Sequence, residues 1–244
     1  MRLLRLILFC FCFLKRYFER KGEQTMKKLN YKITLIDEML GTAPADKEVY
    51  STYIASTKTG DELNEEVEAL ENGIDASAEK ERKLTIFCKN KAGNPILWDY
   101  QWKGYFKDTC KALKKVPSTK SSAIKAYKQE IDGNIFVFPR QVEMCLPEDA
   151  EIGICERPLR AQTMQGERIA LAASETVPAG STMDISVVCL IDSHVNAVKE
   201  WMANGIIRGT GQWRNSGKGR FIAELTSEED LGDYDAVKLA ALIK

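Results

Sequence analysis

The stretch ISVVCLIDSHVNAVKEWMANGIIRGTGQWRNSGKGRFIAEL, residues 185–225, changes its periodicity three times, and those changes decide the fold. Met183–Ile191 alternates at first and then turns wholly apolar, as a central strand covered on both faces does. From about His194 to Asn204 the spacing becomes helical, with Val195, Val198 and Met202 on one stripe. Ser193 is the expected N-cap of that helix and Gly205 its C-cap. Gly209–Phe221, G-T-G-Q-W-R-N-S-G-K-G-R-F, obeys neither period, and alternation returns at Arg220–Leu225 with Phe221, Ala223 and Leu225 inward. The segment therefore reads as strand, helix, glycine-rich basic loop and strand, and it is the place where a binding site is expected.

Upstream of this unit, Tyr31–Ile36 alternates apolar and polar residues as a first strand. A turn-rich stretch, Met39–Asp46, follows it. From Asp99 the pattern is helical: Trp102, Tyr105, Phe106, Cys110 and Leu113 share one face, while Lys103, Lys107 and Lys111 share another. Pro117 stops that helix. Ile135–Phe138 is a short apolar run, read as a buried strand, and Leu84–Cys88 is a further strand candidate. Residues 147–167 read as an irregular loop, the region of Arg157, Arg160 and Arg168. Without insertions the order is strand, helix, strand, strand, helix, strand, an α+β chain with a ferredoxin-like (βαββαβ) core.

One domain is expected over residues 26–226, interrupted at about 46–83 by an acidic helical insertion that reads as a solvated surface helix. Residues 227–244 are expected to form a short helix and tail. The first 25 residues hold an apolar run, Leu3–Leu14, too short to cross a bilayer, with no small-residue cleavage site after it. Lys21-Gly22-Glu23 is compatible with a purine-rich ribosome-binding sequence in the coding strand, so Met26 is the expected start and residues 1–25 a translated leader. No membrane partner is expected.

The chain holds 35 Lys and Arg against 35 Asp and Glu. Residues 1–25 carry six of these cations and two of the acids, which leaves Met26–Lys244 at −4. Nucleic-acid binders commonly carry a basic surplus, so any such surface here has to be a local patch. Seven cysteines with no C-x-x-C pair, and a single histidine, His194, argue against a zinc site. An odd thiol count without a secretion signal suits the cytoplasm. No metal or cofactor is expected.

The four glycines of the 209–221 loop permit positive φ and close approach of backbone to a ligand. Successive N–H groups in such loops form anion-binding nests. Arg214, Lys218 and Arg220 add charge, and Trp213 adds a stacking face. The alternative is a connection that merely turns the chain, with Trp213 in the core. The loop is neither a P-loop, lacking G-K-[ST], nor a dinucleotide fingerprint, since it follows a helix and opens a strand.

A strand, a helix and G-x-G-x-x-x-x-x-G-x-G-x-F before a last strand resembles the glycine-rich loop of the RAMP superfamily, the ferredoxin-like proteins that form the backbone of CRISPR effector complexes. Tyr31–Ile36 with its following G-T turn resembles the family's first strand. Trp102-Lys-Gly-Tyr-Phe-Lys107 resembles its K-G-x-x-R helix start. Arg160-Ala-Gln-Thr-Met-Gln-Gly166 and Glu175-Thr-Val-Pro-Ala-Gly180 resemble its loop and the approach to the third core strand. The resemblance implies a protein, CRISPR-related or carried by a phage or other mobile element, that holds single-stranded RNA, or secondarily DNA, by its backbone. The residues implied are Gly209, Gly211, Trp213, Arg214, Gly217, Lys218, Gly219 and Arg220, with Lys103, and Lys107 at the place of the family's arginine, on a helix face that otherwise reads as solvated surface. Arg157 and Arg160 are the further candidates, placed either to reach phosphates from their loop or equally to keep it soluble. Self-assembly and other effector subunits are the further implied partners.

Two other classes stay open. The acidic insertion and the negative charge suit a structural protein that assembles with itself or docks a host factor. A nuclease would need His194 or one of Asp184 and Asp192, but no triad, cysteine–histidine pair or carboxylate dyad accompanies them. Catalysis is therefore not expected, and His194 reads as a capping or packing residue.

Overall fold

The computed structural model describes residues 25–45, 65–69, 72, 84–163 and 166–242. The expected leader and most of the insertion at 46–83 lie outside the described residues. In chain order the elements are β1 (Met26–Leu35), β2 (Met39–Leu40), β3 (Ala43–Pro44), β4 (Leu84–Ile86) and β5 (Ile96–Trp98). Then come α1 (Asp99–Leu113), α2 (Lys120–Ala123), α3 (Tyr127–Asn134), β6 (Ile135–Phe138), β7 (Gln141–Glu143), β8 (Gly153–Thr163) and β9 (Gly166–Val177). The chain ends with β10 (Thr182–Cys189), α4 (Val195–Ala203), β11 (Phe221–Gly232) and α5 (Ala236–Leu242). The fold is α+β with more than one sheet, and no helix among the described residues is long and apolar enough to cross a membrane.

The principal sheet runs β11-β1-β10-β6, with every neighbouring pair antiparallel. Alternation along β1 buries Leu29, Tyr31, Ile33 and Leu35 on one face and leaves Lys32 exposed on the other. Trp102, Tyr105, Phe106 and Cys110 of α1 and Val195, Val198, Trp201 and Met202 of α4 close the buried face into a single core. Phe221, the first residue of β11, lies edge-on to Trp102 and Tyr105, with ring centroids 5.5 and 5.2 Å away. The Tyr105 hydroxyl donates to the carbonyl of Trp201 at 2.7 Å, and the Trp201 indole donates to Ser121 Oγ at 2.8 Å. These two bonds satisfy polar atoms that a fully apolar core would strand.

A second sheet, β2-β9-β4-β3 with β8 added beside β9, is mixed, since β4 and β9 run parallel. Ile86, Cys88, Ile96, Trp98 and Ala173 form a smaller core on it.

Five expectations are corrected. Residues 147–167 are not an irregular loop. Gly153–Thr163 pairs in continuous register with Gly166–Val177 as a long hairpin. Pro158 argues for a loop in sequence, yet among the described strands β8 pairs with β9 alone, and a strand in that position accepts a proline whose missing N–H faces away from the ladder. The last strand does not end at Leu225. It continues to Gly232, across the expected boundary at 226–227, by absorbing a register shift opposite Asn30/Tyr31, and only then gives way to a short helix.

Ser193 is not the N-cap of α4. Asp192–His194 forms a single 3-10 turn, and His194 precedes the helix without a side-chain cap. Gly205 is not a positive-φ cap either; it lies in a 3-10 turn against Phe221. Finally, the described part of the insertion, residues 65–69, is helical but not a solvated face. Glu66 is buried and pairs with Arg140 at 3.2 Å, Glu65 pairs with the same guanidinium at 2.9 Å, and Ala69 enters the second core.

A Cβ on Gly205 would stand 2.4–2.6 Å from three ring atoms of Phe221. Gly205→Ala is therefore expected to destabilise the protein by about 1–3 kcal/mol through overpacking, read as a lower urea midpoint. An unchanged midpoint would show that Phe221 is free to move away.

Candidate nucleic-acid interface

The loop between α4 and β11 is closed at its neck by backbone contact. Thr210 N–H donates to Gly219 O at 2.9 Å, and Gly219 N–H donates to Glu38 O at 2.8 Å. The chains approach so closely that a Cβ on Gly209 would meet backbone atoms of Lys218, Gly219 and Arg220 at 2.3–2.6 Å. Gly219, at φ +68, would set its Cβ 2.0 Å from Thr210 O. Gly211 and Gly217 also take positive φ, +80 and +83. Each of the four glycines thus has a backbone role: Gly209 by close approach, Gly211 and Gly217 by conformation, Gly219 by both.

Trp213 is not in the core. It takes the left-handed conformation at φ 55, a strained choice for a bulky side chain, and remains 40% exposed. The Arg157 guanidinium lies 5.0 Å from its ring centroid and Lys218 Nζ lies 6.0 Å from it. Arg157 comes from the middle of β8, so the hairpin misread as a loop brings a cation to the glycine-rich loop.

Each cation of the loop has an acid partner that sequence reasoning missed. Arg214 Nη1 and Arg208 Nε both donate to Asp108 Oδ2 of α1, at 2.7 and 2.5 Å. Lys218 donates to Glu38 Oε1, and Arg220 Nε to Asp37 Oδ2 at 2.7 Å. Five cations, Arg157 included, therefore gather around one loop against three carboxylates. No local spacing reveals these pairs, because each partner lies about 100 residues or more from its cation. The nearest signals are the Asp37-Glu38 dipeptide before the turn and Arg208 directly before Gly209.

The remaining expected residues stand apart from this group in their contacts. Lys107 pairs with Asp132 at 2.5 Å, while Lys103 donates to Asp132 O at 3.3 Å and stands 4.3 Å over the Phe136 ring. Burial pushes the Lys103 ammonium below its usual pKa, against the opposing pull of Asp132. Arg160 is exposed and sits three residues from Arg157, so strand alternation assigns it to the opposite face of the hairpin. Trp98 is buried and stacks on Tyr100, which is exposed.

His194 is buried beside Glu130 at 3.5 Å, its Nδ1 without a hydrogen-bond partner among the described residues. Burial lowers its pKa against the pull of Glu130.

Burial resists ionisation of the Asp108 carboxyl. The hydrogen bond from Arg208 and the charges of Arg214 and Arg208 outweigh that resistance and hold it below the usual range. A depressed carboxyl pKa stabilises the fold above the unfolded-state value, and the contribution is lost as pH falls through the folded-state value. The urea midpoints of the wild type and Asp108→Asn should therefore differ by a constant amount above pH about 5 and converge below pH about 4. A gap that persists into acid would remove the charge pairing as its cause.

No family model matches the chain, and no curated protein matches it. Among solved structures, it is similar to a chain of a type III-B Cmr-beta complex bound to cognate target RNA, determined by cryo-electron microscopy. The two share 12% sequence identity at a TM-score of 0.48, and the match covers 93% of this chain and 66% of that one.

Proposed function

We propose that the protein binds a single strand of nucleic acid by its sugar-phosphate backbone, RNA in preference to DNA, through the loop of residues 209–220. The observation that carries this reading is the gathering of Arg157, Arg208, Arg214, Lys218 and Arg220 around a strained, exposed Trp213 on a loop whose backbone admits only glycine at its neck. Phosphates need donors and positive charge, and an unpaired base needs an aromatic face. Both are present within one loop and the hairpin beside it.

Two lines support a ferredoxin-like core of RAMP type. One is the strand order β11-β1-β10-β6 with α1 and α4 on one face. The other is the resemblance of the glycine-rich loop itself. On this reading the three carboxylates hold the cations extended in the free protein, and phosphates exchange with them on binding. Arg214 and Lys218 then hold phosphates, with no dependence on base identity.

A second reading, an assembly surface, is favoured by Ile206 and Ile207, two exposed apolar residues immediately before Arg208. Concentration-dependent association in sedimentation without nucleic acid, abolished by Ile207→Ser, would favour it. A monomer at all concentrations would dismiss it.

The test of the principal reading is filter binding of single-stranded RNA, single-stranded DNA and duplex DNA over a range of salt. Arg214→Ala with Lys218→Ala should weaken single-strand binding equally across sequences. It should also lower the slope of log affinity against log salt by roughly 0.7 for each phosphate no longer neutralised. An unchanged slope would refute the role of these two residues.

A further inference from the structure

Arg157 differs from the other cations around the loop. It is 8% exposed, and among the described residues no carboxylate pairs with it. Two of its five N–H donors are accepted, Nη1 by Ser174 Oγ at 3.2 Å and Nη2 by Gln212 Oε1 at 3.0 Å. Ser174 is held in turn by Thr85, their hydroxyl oxygens 2.7 Å apart. A buried charge that meets only neutral partners is costly and persists when something else requires it. Here the guanidinium lies against the Trp213 ring. Its neighbours on both sides are fixed: β9 holds Ser174, and Gln212 immediately precedes Trp213 in the loop.

Resting on the backbone-binding reading, we propose that Trp213 is a stacking platform for one unpaired base, with Arg157 as its buttress. Arg157 covers one side of the indole and, through Gln212, fixes the left-handed turn that holds the ring out. The exposed part of the ring takes the base. The adjoining phosphate supplies the counter-charge that the described residues do not give Arg157, while the acid-paired cations of the loop follow the strand on either side. One base per protein is gripped by its π-face, and the rest of the strand is held by charge alone.

The chain is suited to a direct test, because three of its four tryptophans, Trp98, Trp102 and Trp201, are buried and Trp213 is the exposed one. The full-length protein is titrated with a short single-stranded RNA and with an abasic ribose-phosphate strand of the same length, following tryptophan emission and filter retention together. The base-bearing strand should quench emission and bind about tenfold more tightly than the abasic one. Trp213→Ala should abolish both the quenching and the difference between the strands.

Arg157→Gln should weaken both strands and lower the salt slope by roughly 0.7, and Arg157→Lys should restore the slope. Circular dichroism establishes that each variant is folded. Should Arg157→Gln fail to fold, the comparison of Trp213→Ala with the abasic strand decides the matter alone. Retention of RNA with unchanged emission, or equal affinity for the two strands, overturns the stacking platform and leaves the backbone reading intact. No retention of either strand overturns both.

Discussion

The position of one aromatic ring governs how the site is built. Phe221 opens β11, ends the glycine-rich loop, lies against Trp102 and Tyr105 of α1, and fills the space left by the missing side chain of Gly205 after α4. A single packing contact thus sets the distance between the last turn of the helix and the first residue of the strand. The loop between them has to close over itself, and it does so at Gly209 and Gly219, where backbone meets backbone. Asp108, about one turn beyond Tyr105 on α1, is thereby brought against Arg208 and Arg214. The core and the electrostatics of the loop are parts of one arrangement.

The sequence is most legible where a period of two or of 3.6 runs undisturbed. β1, the apolar face of α1, β6, β10 and α4 all declare themselves this way, because each buries one stripe against a common core. The hairpin β8–β9 does not. Arg157, Pro158 and Arg160 obscure its alternation, and an edge strand standing partly clear of the core needs no apolar stripe to form. The extension of β11 is hidden for a similar reason: beyond Leu225 its side chains are mostly polar, and pairing with β1, not burial, keeps it a strand.

For the site, composition picks out the loop, its glycines and its cations, since those features are local. The carboxylates that hold the cations are beyond its reach, because their pairing is a property of the tertiary fold. So is the separation of Lys103 and Lys107 from the loop. Four-residue spacing places them on one helix face, but α3, not the loop, lies against that face. The settings of two residues are tertiary properties as well. Arg157, expected in an irregular loop, is buried in a strand, and Trp213 is exposed at a backbone conformation that bulky residues avoid.

The proline at position 158 bears on more than local geometry. The margin of a β-sheet is a template on which a neighbouring molecule can add its own strand, and repeated addition leads to fibres. Pro158 withdraws a donor halfway along the eleven residues of β8, so a foreign strand adding there would meet a gap in the ladder where it needs to zip closed. The strand that carries Arg157 to the loop thus has a built-in obstacle to serving as a seed for aggregation.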